Sequence, residues 1–447
     1  MGQTVTPASR QDSSIHGQTT HPGTATHPGT SQTEPATQNG AGGRGYAFLV
    51  AYLVALSAFG SFVNDMYIPT LPEMARFFGC SASTVQLGLT SGMAGLGAGQ
   101  ILMGPLSDKY GRKPILFISM GIFIAGAVAS VFSPGIMVFL GWRFVQGIGA
   151  AGGYFLARTV PADIYGGRPL AKMMALIGAI NGFAPASAPV LGGLAAKYFG
   201  WKGIFWILAA FAVFLFVAGF RFKESLPRAR RAQGKWYGTF REYSPLLRNP
   251  RFMTHVMLKG TGLGLLFAYI SAAPFIMQDI YGYSEVAFGC FMGVNALFMA
   301  AGSMVSLRFK ILKDASWVGC WILMLSTTVV IISLLFIHDF WAFEISMLPM
   351  LFALGMIFTV GNTLSMNEGR INAGAASAIL GVVGYIFGAI VAPLVGLGEI
   401  RRSSAIVFGV MAVLTLIFGF GTRRMAPDLN ANNKPKQDSS TPQTVTK

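Results

Sequence analysis

GPLSDKYGRKPIL, residues 104–116, sets one acid, three bases, two prolines and two glycines between runs that are almost wholly apolar. Charge is scarce elsewhere in the chain. Only 11% of the 447 residues are charged and 53% are hydrophobic, where a soluble domain carries about 25% charged residues. Crossing ~30 Å of hydrocarbon takes about 20 apolar residues. Runs of that kind lie on both sides of the segment and recur to give twelve spans, at 46–68, 85–106, 115–133, 136–160, 173–196, 203–221, 252–277, 286–307, 317–337, 340–364, 375–398 and 403–422. Lipid offers backbone amides no partners, so apolar runs of this length must be helices. The expectation is an all-α membrane protein of twelve transmembrane helices in two pseudo-symmetric halves, 46–221 and 252–422. A polar linker, 222–251, joins them.

The flanking segments differ in kind. Residues 1–45, with the near-repeat THPGTATHPGT, and residues 423–447 hold no apolar run able to form a core, and read as disordered tails. A basic start followed by a short apolar core is missing, so the first span is expected to serve as the targeting signal. His16, His21 and His27 are irregularly spaced and lack Cys or acid partners, and Cys80, Cys290 and Cys320 form neither a disulfide framework nor a metal site, so no metal or cofactor is expected.

The net charge of +16 comes mainly from the loops after the even-numbered spans, which hold Lys109, Arg112, Lys113, Arg168, Lys172, a cluster over 221–251, Arg308, Lys310, Lys313 and Arg370. Short basic loops mark the cytoplasmic side, which places both termini in the cytoplasm and leaves nucleic-acid binding without a basic soluble face to rest on. Enzyme motifs are missing: there is no phosphate-binding glycine loop ending in Lys-Ser or Lys-Thr, no HExxH, and His255 and His338 lie near opposite membrane faces.

GPLSDKYGRKP resembles the signature loop between helices 2 and 3 of the major facilitator superfamily. RFVQGIGAAGG (143–153) is similar to its helix-4 signature, and GAINGFAPASAPVLGG (178–193) to the helix-5 signature of its proton-coupled exporters. NDMYIPTLPEMA (64–75), FAYISAAPFIMQ (267–278) and GAASAILGVVGYIFGAIVAPLVG (374–396) resemble the Bcr/CflA group of drug/proton antiporters. The resemblance implies a proton-coupled antiporter that exports small amphipathic molecules, as in multidrug efflux and antibiotic resistance, acting as a monomer in the cytoplasmic (inner) membrane. A proton symporter or facilitator importing a nutrient, and a receptor or scaffold on the same fold, are the alternatives.

Several residues carry this reading. Asp108 and Arg112 can pair across one helical turn, and Gly111 permits the tight turn; the resemblance implies that Asp108 also meets the start of the eleventh helix, forming a gate. Asp65, toward the outer end of the first span, shares a face with Ser57 and Ser61 and has Asn64 beside it. An intramembrane carboxyl there suits proton exchange, unless it simply reaches water at the boundary. Arg143 keeps its charge and must pair or face water; the resemblance makes it the tuner of the proton site, the alternative being an arginine directed to headgroups. Gln146 continues its stripe.

Gly182, Pro185, Pro189 and Gly192 form a breaker cluster that the resemblance implies kinks the fifth helix and seals the halves, with Asn181 facing a cavity. Asn64, Gln146, Asn181 and Phe267 are the expected substrate contacts. Lys259 reads best as reaching back to the headgroups, with a cavity charge for anionic or zwitterionic substrates as the alternative.

Overall fold

A computed structural model describes residues 43–165, 167–231, 243–369 and 373–425, all helix, turn or short connection. Helix α1 (Gly43–Asp65) stops where the prolines begin. Pro69 and Pro72 have no amide proton and their rings obstruct a continuing helix, so the chain turns at Met66 and Tyr67, makes one tight turn over Ile68–Thr70 and resumes as α2 (Leu71–Phe78). One apolar path thus runs from Gly45 to Phe78. Asp65 closes α1, at the outer end of the first helix as expected, and the apolar path continues past it.

Ser81 caps α3 (Ala82–Tyr110) by accepting the Thr84 amide at 3.2 Å, which satisfies one of the donors a helix start leaves free. Then come α4 (Arg112–Val131) and α5 (Ile136–Ile164). The fifth and sixth expected spans are two arms of α6 (Gly167–Gly219), which turns a corner at Gly200, whose φ of 61° favours glycine. Glu73 of α2 accepts the Trp201 amide at 3.1 Å and so caps the second arm.

The second half comprises the short α7 (Tyr243–Leu247), α8 (Pro250–Pro274) with a wider turn over Phe275–Ile280, α9 (Glu285–Ser306), α10 (Leu312–Ile332) with a similar turn over Ser333–Ile337, α11 (Phe340–Glu368), α12 (Ala373–Leu394) and α13 (Ile400–Met425). Nine stretches of described helix are long and apolar enough to span a membrane. Helices α3 and α5 fall outside that set because they are rich in glycine and polar residues, and they use these against each other. Gly95 packs on the Phe144 carbonyl, Gly147 packs on the Gly92 carbonyl, and a Cβ at Gly99 would lie 2.8 Å from the Ile148 carbonyl oxygen. Small residues let helix backbones approach closely in lipid.

The second half repeats the device. Gly302 of α9 packs on the Phe352 carbonyl, and Gly355 of α11 on the Met299 carbonyl. The same close packing through glycine thus recurs in a helix pair of each half.

The halves meet along α6 with α9 and α3 with α12. Gly193 packs on the Glu285 carbonyl and a Cβ at Gly289 would meet the Pro189 oxygen at 2.6 Å, while within the first half Gly192 packs on the Met66 carbonyl. Hydrogen bonds join Ser83 to the Pro393 carbonyl (2.8 Å), Gln86 to the Ser271 carbonyl (2.9 Å), Thr90 to the Ala389 carbonyl (2.8 Å) and Gln278 to the Pro69 carbonyl (2.8 Å). An ion pair links Arg76 to Asp279 at 2.9 Å. These links belong to the end of the molecule opposite the basic loops.

A Val side chain at Gly192 has no room beneath Met66, so Gly192→Val should separate α6 from α1 and loosen the end opposite the basic loops. Limited proteolysis of membrane-embedded protein should then cut at loops of that end, such as the one around Gly282, several times faster than in the parent.

Candidate functional site

Asp65 is the last helical residue of α1. It is half-buried, and the described residues give it no ion-pair partner. Arg143, on α5, is fully buried. It does not reach Asp65; its guanidinium makes long contacts of 3.4 and 3.5 Å to the Val63 carbonyl, hydrogen-bonds Gln146, and lies 4.3 Å from the Tyr67 ring centre and 5.6 Å from that of Phe205. The break in α1 is what makes this contact possible, since carbonyls at a helix end lack amide partners. The arginine therefore braces the discontinuity two residues from Asp65, where cation–π contacts replace a carboxylate.

Gly92 permits this seat: a Cβ there would meet the guanidinium at 2.9 Å. Gln146 is also fully buried and belongs to this brace inside the first half, a different place from the substrate contact its stripe suggested. Asn64 is buried beside Asp65. Phe267, half-buried, packs on Gly388 at the contact of α8 with α12, with the Met93 sulfur on the same spot.

At the basic rim the expected pair forms: Arg112 Nη1 lies 2.6 Å from Asp108 Oδ1. Arg112 also grips Asp163, at the end of α5, through Nε (2.8 Å) and Nη2 (3.3 Å), and donates to Ser107 Oγ at 2.6 Å. Fork-shaped pairing with a carboxylate is the strongest arrangement open to arginine. Glu224, beyond the sixth span, accepts the Arg112 and Lys113 amides at 2.9 and 3.2 Å, placing a carboxylate on the positive start of α4. Gly111 is required twice over. Its φ is 105°, and a Cβ would fall 2.6 Å from both Glu224 Oε2 and Arg231 Nη2. Asp108 is half-exposed; residues 370–372, before α12, lie outside the described residues, as do the side chain of Asn181 and the surroundings of Gly182. Pro185 is half-buried and Pro189 buried, the latter at the contact with α9.

Three charged groups were missed by the sequence reading or have partners it did not foresee. Glu344 of α11 is buried, accepting from Asn295 at 2.8 Å, and Asn295 also reaches the Tyr269 hydroxyl at 2.5 Å. Its signal was available, a lone acid inside the 340–364 run. Removing its donor with Asn295→Leu should strand the carboxylate, a loss of roughly 1–3 kcal/mol or more, visible as earlier thermal aggregation of detergent-solubilised protein. Lys259, expected to reach back to the headgroups, has its Nζ donating to Asn362 of α11 at 3.1 Å. Arg158, held by Tyr154, is the third.

The family model of the Major Facilitator Superfamily matches residues 53–393. The chain belongs to the major facilitator superfamily. It is accordingly a transporter and not an enzyme. It is 35% identical over 380 residues to an uncharacterized MFS-type transporter, YdgK, of Bacillus subtilis, covering 83% of this chain and 93% of the relative. A bicyclomycin resistance protein homolog of Haemophilus influenzae is 28% identical over 381 residues, 81% of this chain and 92% of that one. A chloramphenicol resistance protein of Pseudomonas aeruginosa is 31% identical over 258 residues, 56% of this chain and 60% of that one. Among solved structures, the transporter's fold matches an inward-facing, occupied bacterial homolog of the human lysosomal transporter Spinster with a TM-score of 0.70 at 16% identity, covering 85% and 97% of the two chains. Asp65, Arg143, the rim cluster and the α6 prolines all lie within the matched region of the transporter.

Proposed function

We propose that this transporter is a proton-coupled antiporter, exporting small amphipathic molecules across the cytoplasmic membrane by alternating access, with the basic end and both termini in the cytoplasm. The observation that carries the reading is Asp65, a half-buried carboxyl at a helix break, without an ion-pair partner among the described residues and two residues from the carbonyl that Arg143 holds. A charge that is costly in hydrocarbon and left unneutralised by a fixed cation is suited to trading a proton for a substrate.

The inter-half links at the end opposite the basic loops, together with a half-exposed Asp108, fit an inward-open conformation. In the outward-open state Asp108 would engage the start of α12. Relatives named for resistance to bicyclomycin and chloramphenicol support export as the direction.

The test uses the full chain reconstituted in inverted vesicles acidified inside, with chloramphenicol and a lipophilic dye as probes. Export by antiport predicts that adding either probe drives protons out of the lumen while the probe accumulates there. Probe-driven proton movement of the opposite sign would establish symport instead.

A further inference from the structure

We infer that Ser83, Gln86 and Thr90 of α3 form an uncharged latch that holds shut the end opposite the basic loops, by donating to main-chain carbonyls that breaks in the helices of the second half leave short of amide partners. The inference rests on the alternating-access part of the reading above and names contacts that set the balance between its two conformations.

The three donors recur at i, i+3 and i+7, one face of a helix. Each meets a carbonyl released by a local fault in helical bonding. Pro393 has no amide proton, so the Ala389 carbonyl four residues before it lacks its usual donor in α12; Thr90 Oγ1 donates to it at 2.8 Å. The Pro393 carbonyl lies in the last turn of α12, where amide partners run short, and Ser83 Oγ donates to it at 2.8 Å. At the end of α8 the Phe275 amide donates to the Ala272 carbonyl, not to that of Ser271. The freed Ser271 carbonyl takes Gln86 Nε2 at 2.9 Å, while the Ser271 hydroxyl donates to the Ala392 carbonyl at 3.0 Å and so ties the two acceptor helices together. Gln86 and Ser271 are fully buried.

Gly396 lets the surfaces meet. A Cβ there would collide with Gln86 Oε1 and with the Ser83 backbone, all atoms of the other half. Opening this end hands donors and acceptors alike to water, whereas removing a donor while it is closed leaves a carbonyl unpaired in a dry contact. The cost of a lost donor therefore falls on the closed conformation. No formal charge enters the latch. The Arg76–Asp279 ion pair at the same end is 64% and 41% exposed, and an exposed pair weighs little beside these bonds. Helix α3 thus carries a neutral contact at one end and the charged Asp108 at the other, and ionic strength acts on the second.

The test uses the full chain in lipid nanodiscs, with Cys80, Cys290 and Cys320 replaced by Ala and spin labels on Tyr198→Cys and Leu397→Cys, exposed positions of this end, one in each half. Double electron–electron resonance reads the ratio of short to long distances. Thr90→Val keeps the shape and removes the hydroxyl; it should move the ratio roughly tenfold toward the long distance, about 1.4 kcal/mol, and Thr90→Ser should restore it. Gly396→Ala should move it at least as far. Arg76→Gln and raised salt should leave it in place.

The parent's ratio in both Thr90→Val and Gly396→Ala overturns the inference, and so does an equal opening by Arg76→Gln or by salt. The antiport reading fails separately: a ratio that follows the latch, without pH-driven transport by the parent in vesicles, removes antiport and keeps the latch, whereas pH-driven transport with an unmoved ratio does the reverse.

Discussion

Asp65→Asn should yield a protein that inserts, binds uncharged probes as the parent does, and accumulates nothing against a gradient. Asparagine keeps the size and hydrogen-bonding capacity of the side chain and removes only its titration. No other group close by takes over that role, because Arg143 is committed to the Val63 carbonyl, Gln146 and the aromatic faces of Tyr67 and Phe205. The loss is large because of what each proton supplies: ~1.4 kcal/mol per pH unit, and ~2.3 kcal/mol more per ~100 mV when net charge moves. At one-to-one exchange those terms together sustain roughly a five-hundred-fold substrate gradient. Uphill, pH-driven uptake into inverted vesicles by the Asn variant would move the proton to another carrier, with Glu344 the next carboxyl to test.

At the basic rim two substitutions should part ways. Asp108→Asn should cripple transport with normal amounts of protein in the membrane, because Arg112 still holds Asp163 and Ser107 and the turn survives. Arg112→Ala should instead lower the yield of folded protein, since it strands Asp163 and frees Asp108 together; breaking a buried ion pair from one side costs about 3–5 kcal/mol. Quantifying membrane protein by fluorescence-detected gel filtration alongside transport separates the two. Full efflux by a well-inserted Asp108→Asn protein would reduce the segment to an orientation signal.

The twelve spans and the Asp108–Arg112 pair were legible in the sequence, because each depends on residues close to one another along the chain. Asp65 was legible as the acid at the end of the first helix, yet the path beyond it was not. A span counted by hydropathy ends at the prolines, while the chain resumes its helical path beyond them to Phe78. Partnerships between distant helices left no local trace: Arg112 with Asp163, the α4 start with Glu224, Lys259 with Asn362. Gln146 shows the same limit from the other side. Its stripe was read as facing a cavity, but a face of α5 is equally served by Arg143 of its own helix and by Gly126 of α4, against which Gln146 packs. Glu344 was readable and passed over, an acid close enough to the start of its run to pass for an end.

Glu224 lies past the last span of the first half, yet its carboxylate finishes the start of α4, and Arg231 lies 3.5 Å from that carboxylate. During synthesis the first bundle therefore stays incomplete until a dozen residues beyond α6 have left the ribosome. For anyone expressing the transporter as two separate polypeptides, the place to divide it follows: cut after Arg231, and the first fragment carries its own fastener; cut at the end of α6, near Gly219, and the rim turn is left open in that fragment. Co-expressed pairs divided at the later point should reassemble, and pairs divided at the earlier one should be degraded.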